Sequence, residues 1–562
     1  MSNQSKKITA KKIKEAYREA VTDFTTPSGI PVKEVYTPND ISQIDFDEDI
    51  GLPGQYPFTR GHHQKMYRGK LWNIRQIIGL STPKRQNERL KFVLSHGANA
   101  VDCEMDTPTW YGIEPDQPYA EGQFGVCGVA LHNLRDVEVM TEDLPMDALS
   151  MCWNYPLPTL SQAYILTAKR RGYNISDLRV VHSALYLHLF VYTPSWPEVL
   201  YVDGRFSTLA RWGNDFCEYI LRNLPKWNIW YADGAAFCES GANAVQEIAF
   251  IIACRDELIR EMLKRGVDIN AIGRGLSPVV ALDRDFFEHI AKLRAARRIW
   301  ARTMKEKWGA TDPKAMCLRA HGVVVGTVCT RQQPLVNIAR GGIAGLAGIL
   351  GGCMGLQVAC YDETWSTPTE EAERVAIRTQ QVLRYESGVT SVADPLAGSY
   401  YVEWLTSKLE EEIQAMVDKI EGMGGWMAAL QNGWVHEEVK KGLLDIQRKI
   451  DNGERTVVGV NRFQIPPEED FKPKLYAPDT SDVDQYLDDY RNFKETRNYK
   501  NLKEKIKNLQ KAASDPGTNL VPYVFEALEA DATFAEIIGV MRMNDGLDYD
   551  REGEREFPFP DN

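Results

Sequence analysis

The chain lacks closely paired cysteines. Its ten, at positions 103, 127, 152, 217, 238, 254, 317, 329, 353 and 360, include no C-x-x-C spacing, which removes the usual zinc and redox motifs and leaves most of them as small buried hydrophobes. It also lacks a membrane-length apolar run. The stretch Gly341 to Gly352 is shorter than the ~20 residues a span requires, and it has no Gly-Lys-Ser/Thr ending to make it a phosphate loop. A tightly packed buried helix is expected there, and no membrane role. Positive charge is short: 66 Lys and Arg face 78 Asp and Glu, a net −12, which argues against nucleic-acid binding and requires a local basic patch for any polyanionic ligand. No secretory core follows Lys6, Lys7, Lys11, Lys12 and Lys14, so a cytoplasmic chain is expected. There is no repeat of solenoid period.

What is present is an ordinary globular balance, 43% hydrophobic and 26% charged, over 562 residues, more than one common domain. From about residue 98, short apolar runs alternate with helical patterns. The runs fall near 100–106, 149–154, 178–183, 228–233, 277–283, 316–321, 355–361 and 388–394, and several end in a polar residue: Asp106, Asn154, Asp233, Asp283, His321 and Asp394. Thr367-Pro368-Thr369-Glu370 reads as a capping box ahead of Ala372, Val375, Ala376 and Leu383. Ser407-Lys408-Leu409-Glu410 reads as a second, ahead of Ile413, Met416, Val417 and Ile420. Eight β-then-α units predict an α/β fold, a (β/α)8 barrel with chemistry at the C-terminal strand ends; a doubly wound open sheet is the competing topology. The barrel is placed at 51–463, after an N-terminal extension over 1–50. Beyond 464, Pro466, Pro467 and Pro473 lead into a linker and a helical extension ending at 562, with a charged stretch from Tyr486 to Lys511 and a shorter helix around 519–543. That extension suits partner contact more than chemistry.

The densest chemistry lies between residues 56 and 109: Tyr56-Pro57-Phe58-Thr59-Arg60-Gly61, Met66-Tyr67-Arg68, Trp72-Asn73-Ile74-Arg75-Gln76-Ile77-Ile78-Gly79, and Asp102-Cys103-Glu104-Met105-Asp106-Thr107-Pro108-Thr109. Turn residues, flat apolar walls and the cations Arg60, Arg68, Lys70 and Arg75 together suit a long, anionic, partly apolar ligand. On a strand, Asp102, Glu104 and Asp106 would share a face. Further on come Arg378-Thr379-Gln380-Gln381, Glu386-Ser387-Gly388-Val389, Asp394-Pro395-Leu396-Ala397-Gly398-Ser399-Tyr400-Tyr401 and Val458-Gly459-Val460-Asn461-Arg462-Phe463. In that order these segments resemble the adenosylcobalamin-dependent acyl-CoA mutases, the methylmalonyl-CoA mutase family, over roughly residues 50–462.

The resemblance implies an isomerase that moves a thioester group to the neighbouring carbon by a radical route begun by homolysis of the cobalt–carbon bond. The protein would supply orientation and a closed cavity. The family's cobalt-ligating motif, Asp-x-His-x-x-Gly, is missing: none of the histidines at 62, 63, 96, 132, 182, 188, 289, 321 and 436 has an aspartate two residues before it. The chain therefore resembles a large, substrate-binding subunit, with adenosylcobalamin held mainly by a separate small cobalamin-binding subunit in a heterotetramer or other heteromer. No metal site is expected within it.

Ile77 stands where the family often has a substrate-contacting tyrosine, and this resembles the 2-hydroxyisobutyryl-CoA branch; an ordinary core isoleucine is the plainer reading. Glu104 stands where that branch has an aspartate for the substrate hydroxyl, and a structural acidic strand end is its plainer reading. Glu239 and Glu363 match carboxylates that meet the adenosyl ribose, and His321 a histidine near the corrin or CoA side. Met66, Lys70, Arg75 and Ser277 match CoA contacts, with Asp102 beside them. Exposed salt bridges are the plainer role for the basic pair.

The departures are equally specific. A family Gly-Tyr-His-Met-Gln-Glu loop reads Gly234-Ala235-Ala236-Phe237-Cys238-Glu239 here, an adenosine-contacting asparagine aligns with Ala359, and a family arginine before Ser277 aligns with Gly275, next to Arg274. The carboxylate-gripping arginine falls in the rewritten segment Leu189 to Trp196. These losses argue against a methylmalonyl or succinyl substrate and suggest room for a bulkier acyl group. A mutase for branched or aryl-substituted malonyl- or succinyl-CoA would need Arg68 or Arg274 as its cation. A noncatalytic acyl-CoA- or partner-binding barrel is the alternative of another class.

Overall fold

The structure, a computed structural model, describes residues 24–184, 199–202, 205–477 and 481–560. The N-terminal lysines and the Leu189–Trp196 segment lie outside the described residues.

Eight strands line a central axis: β1 (Asn73–Ile78), β2 (Ala100–Glu104), β3 (Ser150–Asn154), β4 (Arg179–Ser183), β5 (Asn228–Trp230), β6 (Val279–Leu282), β7 (His321–Val324) and β8 (Gly355–Gln357). All are parallel, in the order β5-β4-β3-β2-β1-β8-β7-β6. The bridges Ile229–Leu276 and Asp233–Val279 bring the two ends of that order together, and the Ser277 N–H donates to the Ile229 carbonyl at 3.0 Å. This is the expected (β/α)8 barrel, not an open sheet. Alternation sorts the side chains. On β1, Gln76 points outward to the Glu373 carbonyl, while Asn73 and Arg75 line the axial cavity and Ile77 shares their face.

The strand series starts one element earlier than the sequence predicts. β1 has polar residues on both faces, Asn73 and Arg75 inward and Gln76 outward, and so carries no apolar run. Residues 388–394 form turns instead of a strand: Gly388 and Asp394 have φ of 74° and 45°, and Pro395 follows. β7 begins at His321 instead of ending there, which moves that histidine to the opposite end of the barrel.

The capping boxes also resolve differently. Thr369 is the N-cap of the helix Glu370–Tyr385, accepting from the Ala372 N–H, and Pro368 lies outside it. Ser407 and Glu410 sit well inside the helix Tyr400–Gly422, where both receive Arg298 (3.2 and 2.8 Å). The glycine-rich run lies mostly within the helix Val336–Leu350. Gly341, Gly345 and Gly348 let it approach Val358, Leu356 and Leu282 closely, but Ile343 is 59% exposed, so only one face is buried.

The helix Phe286–Glu306 braces the outer layer with buried arginines. Arg297 donates to the carbonyls of Phe58, Thr59 and Gly351, and Arg294 pairs with Asp394 and Glu403. Beyond the barrel the sequence predicts two helices; among the described residues there are four, Val483–Thr496, Tyr499–Ser514, Val521–Glu529 and Phe534–Asn544. They pack onto the barrel's outer layer, with Thr208 donating twice to Asp545 (2.7 and 2.9 Å). Among the described residues no helix is long and apolar enough to cross a membrane.

Candidate active site

The site runs along the barrel axis and has two ends. At the N-terminal end, inward positions of successive strands place Arg75, Asp102, Ser150, Ser277 and His321 around one cavity. Arg75 is 5% exposed. It pairs with Asp102 and donates to the Ser150 hydroxyl at 3.0 Å. Burial works against its charge, and Asp102 more than restores it, so its pKa ends above the ordinary value. Arg75 is thus an interior group instead of an exposed salt bridge. The Ser277 hydroxyl donates to the Arg319 carbonyl at 2.7 Å. Burial, with Arg75 nearby, holds His321 neutral, well below 6.5.

Several buried polar atoms along this channel have no protein partner: Arg75 Nε, His321 Nε2, Gln357 Oε1 and Ser183 Oγ. Buried polar groups are normally paired, so a row of open ones on a concave axis fits a ligand with amides and hydroxyls of its own. Met66 and Lys70 lie in the short segment that enters β1, at this same end. Met66 is buried beneath Gly61 and Lys70 is exposed. Arg68 is exposed here too, and Arg274, just ahead of β6, is bound to Asp312 at 2.6 Å.

The C-terminal end is acidic. Glu104 closes β2 and accepts from Trp110 Nε1 at 2.9 Å and from the Asn154 amide. Asn154 is its register partner on β3. Desolvation pushes the Glu104 carboxyl up to about 8; the Trp110 and Asn154 bonds oppose this, and Asp102 and Asp233 add to it. Glu104 is therefore largely protonated at neutral pH and can donate a hydrogen bond. Ile77, half-buried, occupies the next inward position beyond Arg75 on β1. Asp106 does not share their face: it caps the helix Thr107–Tyr111, accepting from the Thr109 and Gly125 N–H groups.

Asp233 follows β5 and caps the helix Gly234–Glu239, accepting from the Ala235 and Ala236 N–H groups (2.9 and 3.2 Å). Burial raises it to about 7, against those bonds and with help from Glu239 and Asp102. Glu239, on that helix, receives the Gly326 N–H at 2.8 Å. A Cβ on Gly326 would lie 2.9 Å from Glu363 and 3.2 Å from Glu239. A side chain there would press on both carboxyls where they converge at the rim. Both are open to solvent on one side, yet surrounding protein and Glu239 push Glu363 up to about 7.

The candidate residues thus divide in two. Met66, Lys70, Arg75, Asp102, Ser277 and His321 gather at the N-terminal end, and Ile77, Glu104, Glu239 and Glu363 at the C-terminal end. His321 falls with the residues expected to meet CoA and not with those expected to meet the cofactor. Trp110, Ser183 and Gly326 carry no motif; the strand register that places them is visible only once the barrel is closed. The rim fits an adenosylated cofactor on one side only: Glu239 and Glu363 offer acceptors for ribose hydroxyls. Among the described residues no cluster of three or more His, Cys, Asp or Glu could hold a metal.

Residues 25–547 match the family described as methylmalonyl-CoA mutase. The chain is 33% identical to the 2-hydroxyisobutanoyl-CoA mutase large subunit of Aquincola tertiaricarbonis, over 92% of both chains. It is 31% identical to methylmalonyl-CoA mutase of Cereibacter sphaeroides, covering 95% of this chain and 74% of that one. With the human mitochondrial methylmalonyl-CoA mutase the figures are 29%, 92% and 68%.

Proposed function

Because the chain belongs to the methylmalonyl-CoA mutase family and is an acyl-CoA mutase, an isomerase, we propose that it is the large, substrate-binding subunit of an adenosylcobalamin-dependent enzyme of the 2-hydroxyisobutyryl-CoA type. The two-ended axial site carries this reading. The CoA arm enters at the N-terminal end past Met66 and Lys70. Its amides meet the open groups of Arg75 and His321 and the oxygen of Ser277, with Asp102 fixing the arginine. The acyl group reaches Ile77, which leaves room that a tyrosine would fill, and Glu104, whose carboxyl meets a polar substituent. Glu239 and Glu363 hold the adenosyl ribose across Gly326.

Adenosylcobalamin, when bound, supplies the radical that starts the rearrangement. A separate small subunit, in a heterotetramer or other heteromer, brings it to the C-terminal rim. This chain orients the thioester, shields it from water and holds the Glu104 carboxyl beside the acyl group. The reading with a malonyl- or succinyl-type substrate is less favoured, because Arg68 and Arg274 both stand at the N-terminal end, away from Glu104.

The test is a reconstituted assay of this chain with its small subunit and adenosylcobalamin, across hydroxyacyl-, branched acyl- and carboxyacyl-CoA esters, read by chromatography of isomers. Isomerisation of a hydroxyacyl pair, lost in Glu104→Gln while CoA affinity persists, supports the assignment. Equal turnover by Glu104→Gln would remove Glu104 from the reaction.

A further inference from the structure

The register places three polar side chains in one row at the C-terminal mouth. Glu104 pairs with Asn154 across β2 and β3. Trp153 pairs with His182, so the next residues, Asn154 and Ser183, are level across β3 and β4. Ser183 is fully buried, and its hydroxyl has no hydrogen-bond partner among the described residues beyond the Cys152 thiol, a weak acceptor, beside it. It faces the axis, two residues beyond Val181 of the cavity wall. Asp233, three residues past Trp230 on β5, is close enough for its charge to act on Glu104.

The row holds more acceptors than donors: its own free donors are the Ser183 hydroxyl and the proton that Glu104 carries while uncharged. Both donors that reach Glu104, from Trp110 and Asn154, are spent on it. Donating its amide to Glu104 leaves the Asn154 carbonyl oxygen for a ligand, as an acceptor. The Glu104 oxygens keep further lone pairs, and Ser183 offers an oxygen. An alcohol needs one acceptor and gains little from four, whereas an ammonium has three donors and no acceptor. A carboxylate would meet acceptors and two carboxyl groups.

We propose that Glu104, Asn154, Ser183 and Asp233 form an ammonium-recognising pocket, so that the acyl group of the substrate carries an amino substituent, and that Asp233 is a specificity-determining residue. The inference rests on the acyl-CoA mutase reading and names the substrate class of that same site. On binding, the ammonium draws the carboxyls into their ionised form and satisfies the open Ser183 oxygen.

Calorimetric titration of the full chain with 3-aminobutyryl-CoA, 3-hydroxybutyryl-CoA, butyryl-CoA, methylmalonyl-CoA and CoA tests it. Charge-assisted hydrogen bonds predict that the amino ester binds about 10-fold or more tighter than butyryl-CoA. That preference should fall below about 3-fold in Asp233→Asn and in Glu104→Gln and shrink in Ser183→Ala, with the Kd for CoA itself unchanged. Equal affinity for the amino and butyryl esters overturns the inference and leaves the mutase reading standing. So does a preference that survives all three substitutions. Failure to bind CoA or any ester overturns the mutase reading beneath it.

Discussion

At the N-terminal end of the barrel a buried arginine is enclosed together with a carboxylate; at the C-terminal end a buried carboxyl is enclosed with other carboxyls as its strongest charged neighbours. Arg75 keeps its charge because Asp102 stands beside it. Glu104 keeps its proton because burial and the charges of Asp102 and Asp233 disfavour its ionised form. Asp102 and Glu104, two residues apart on one face of β2, therefore stand in two electrostatic environments within one channel. One suits an extended, amide-rich arm, the other a compact acyl group and the chemistry at its head.

Breaking the N-terminal pair should have the largest effect. Asp102→Ala leaves a guanidinium buried without its carboxylate, and about 3–5 kcal/mol of stability should be lost. Urea denaturation of the free chain reads this, and Asp102→Asn should lose less. A loss under 1 kcal/mol would mean that water reaches Arg75 freely.

Next comes the rim. Gly326→Val would drive the Glu239 and Glu363 carboxyls from their meeting point, and turnover in the reconstituted enzyme should fall about 100-fold. CoA-ester affinity, set at the far end, should hold. Parallel losses in both would show the ends to be coupled.

The two ends should also differ in pH response. Folded Glu104 holds a proton up to about 8, while the unfolded carboxyl releases it near 4.5. The native state is thus the better proton binder between those values, and stability falls as pH rises through them. His321 acts in the opposite sense: its folded form refuses a proton that the unfolded imidazole takes below 6.5, so stability falls as pH drops through 6.5. Glu104→Gln should flatten the alkaline limb of a stability–pH profile and His321→Asn the acid limb. The smallest effect is steric. Ile77→Tyr should leave CoA affinity within about 2-fold and exclude the bulkiest acyl groups from turnover. An unchanged substrate range would place Ile77 outside the acyl cavity.

Much of this division was legible before folding. The apolar runs at 149–154, 178–183 and 228–233 are strands or strand starts, and the polar residues after them, Asn154 and Asp233, do mark the C-terminal mouth. What could not be read follows from the barrel's geometry. β1 hides its identity because Asn73 and Arg75 face the channel and Gln76 faces outward, so Asn-Ile-Arg-Gln-Ile-Ile reads as a motif more than as a strand. His321 was placed at the wrong end because a polar residue beside an apolar run marks either terminus equally well. Ser407 and Glu410 imitate a cap because serine and glutamate at that spacing also suit a helix face that receives an arginine. Gly326 carries no local signal at all; its need arises only from two glutamates brought in from distant helices and loops.

Arg297 gives the entrance arm an unusual standing. Phe58 and Thr59 lie in irregular chain, without the ladder of a strand or helix to hold them, yet their carbonyls are gripped by a guanidinium rooted in the long helix Phe286–Glu306. Local opening of that arm would strand a buried cation, so it should open only with the helix that carries it. In native-state hydrogen exchange the backbone amides around residue 58 should then belong to the slow, globally exchanging class, a stretch of loop with the persistence of the core.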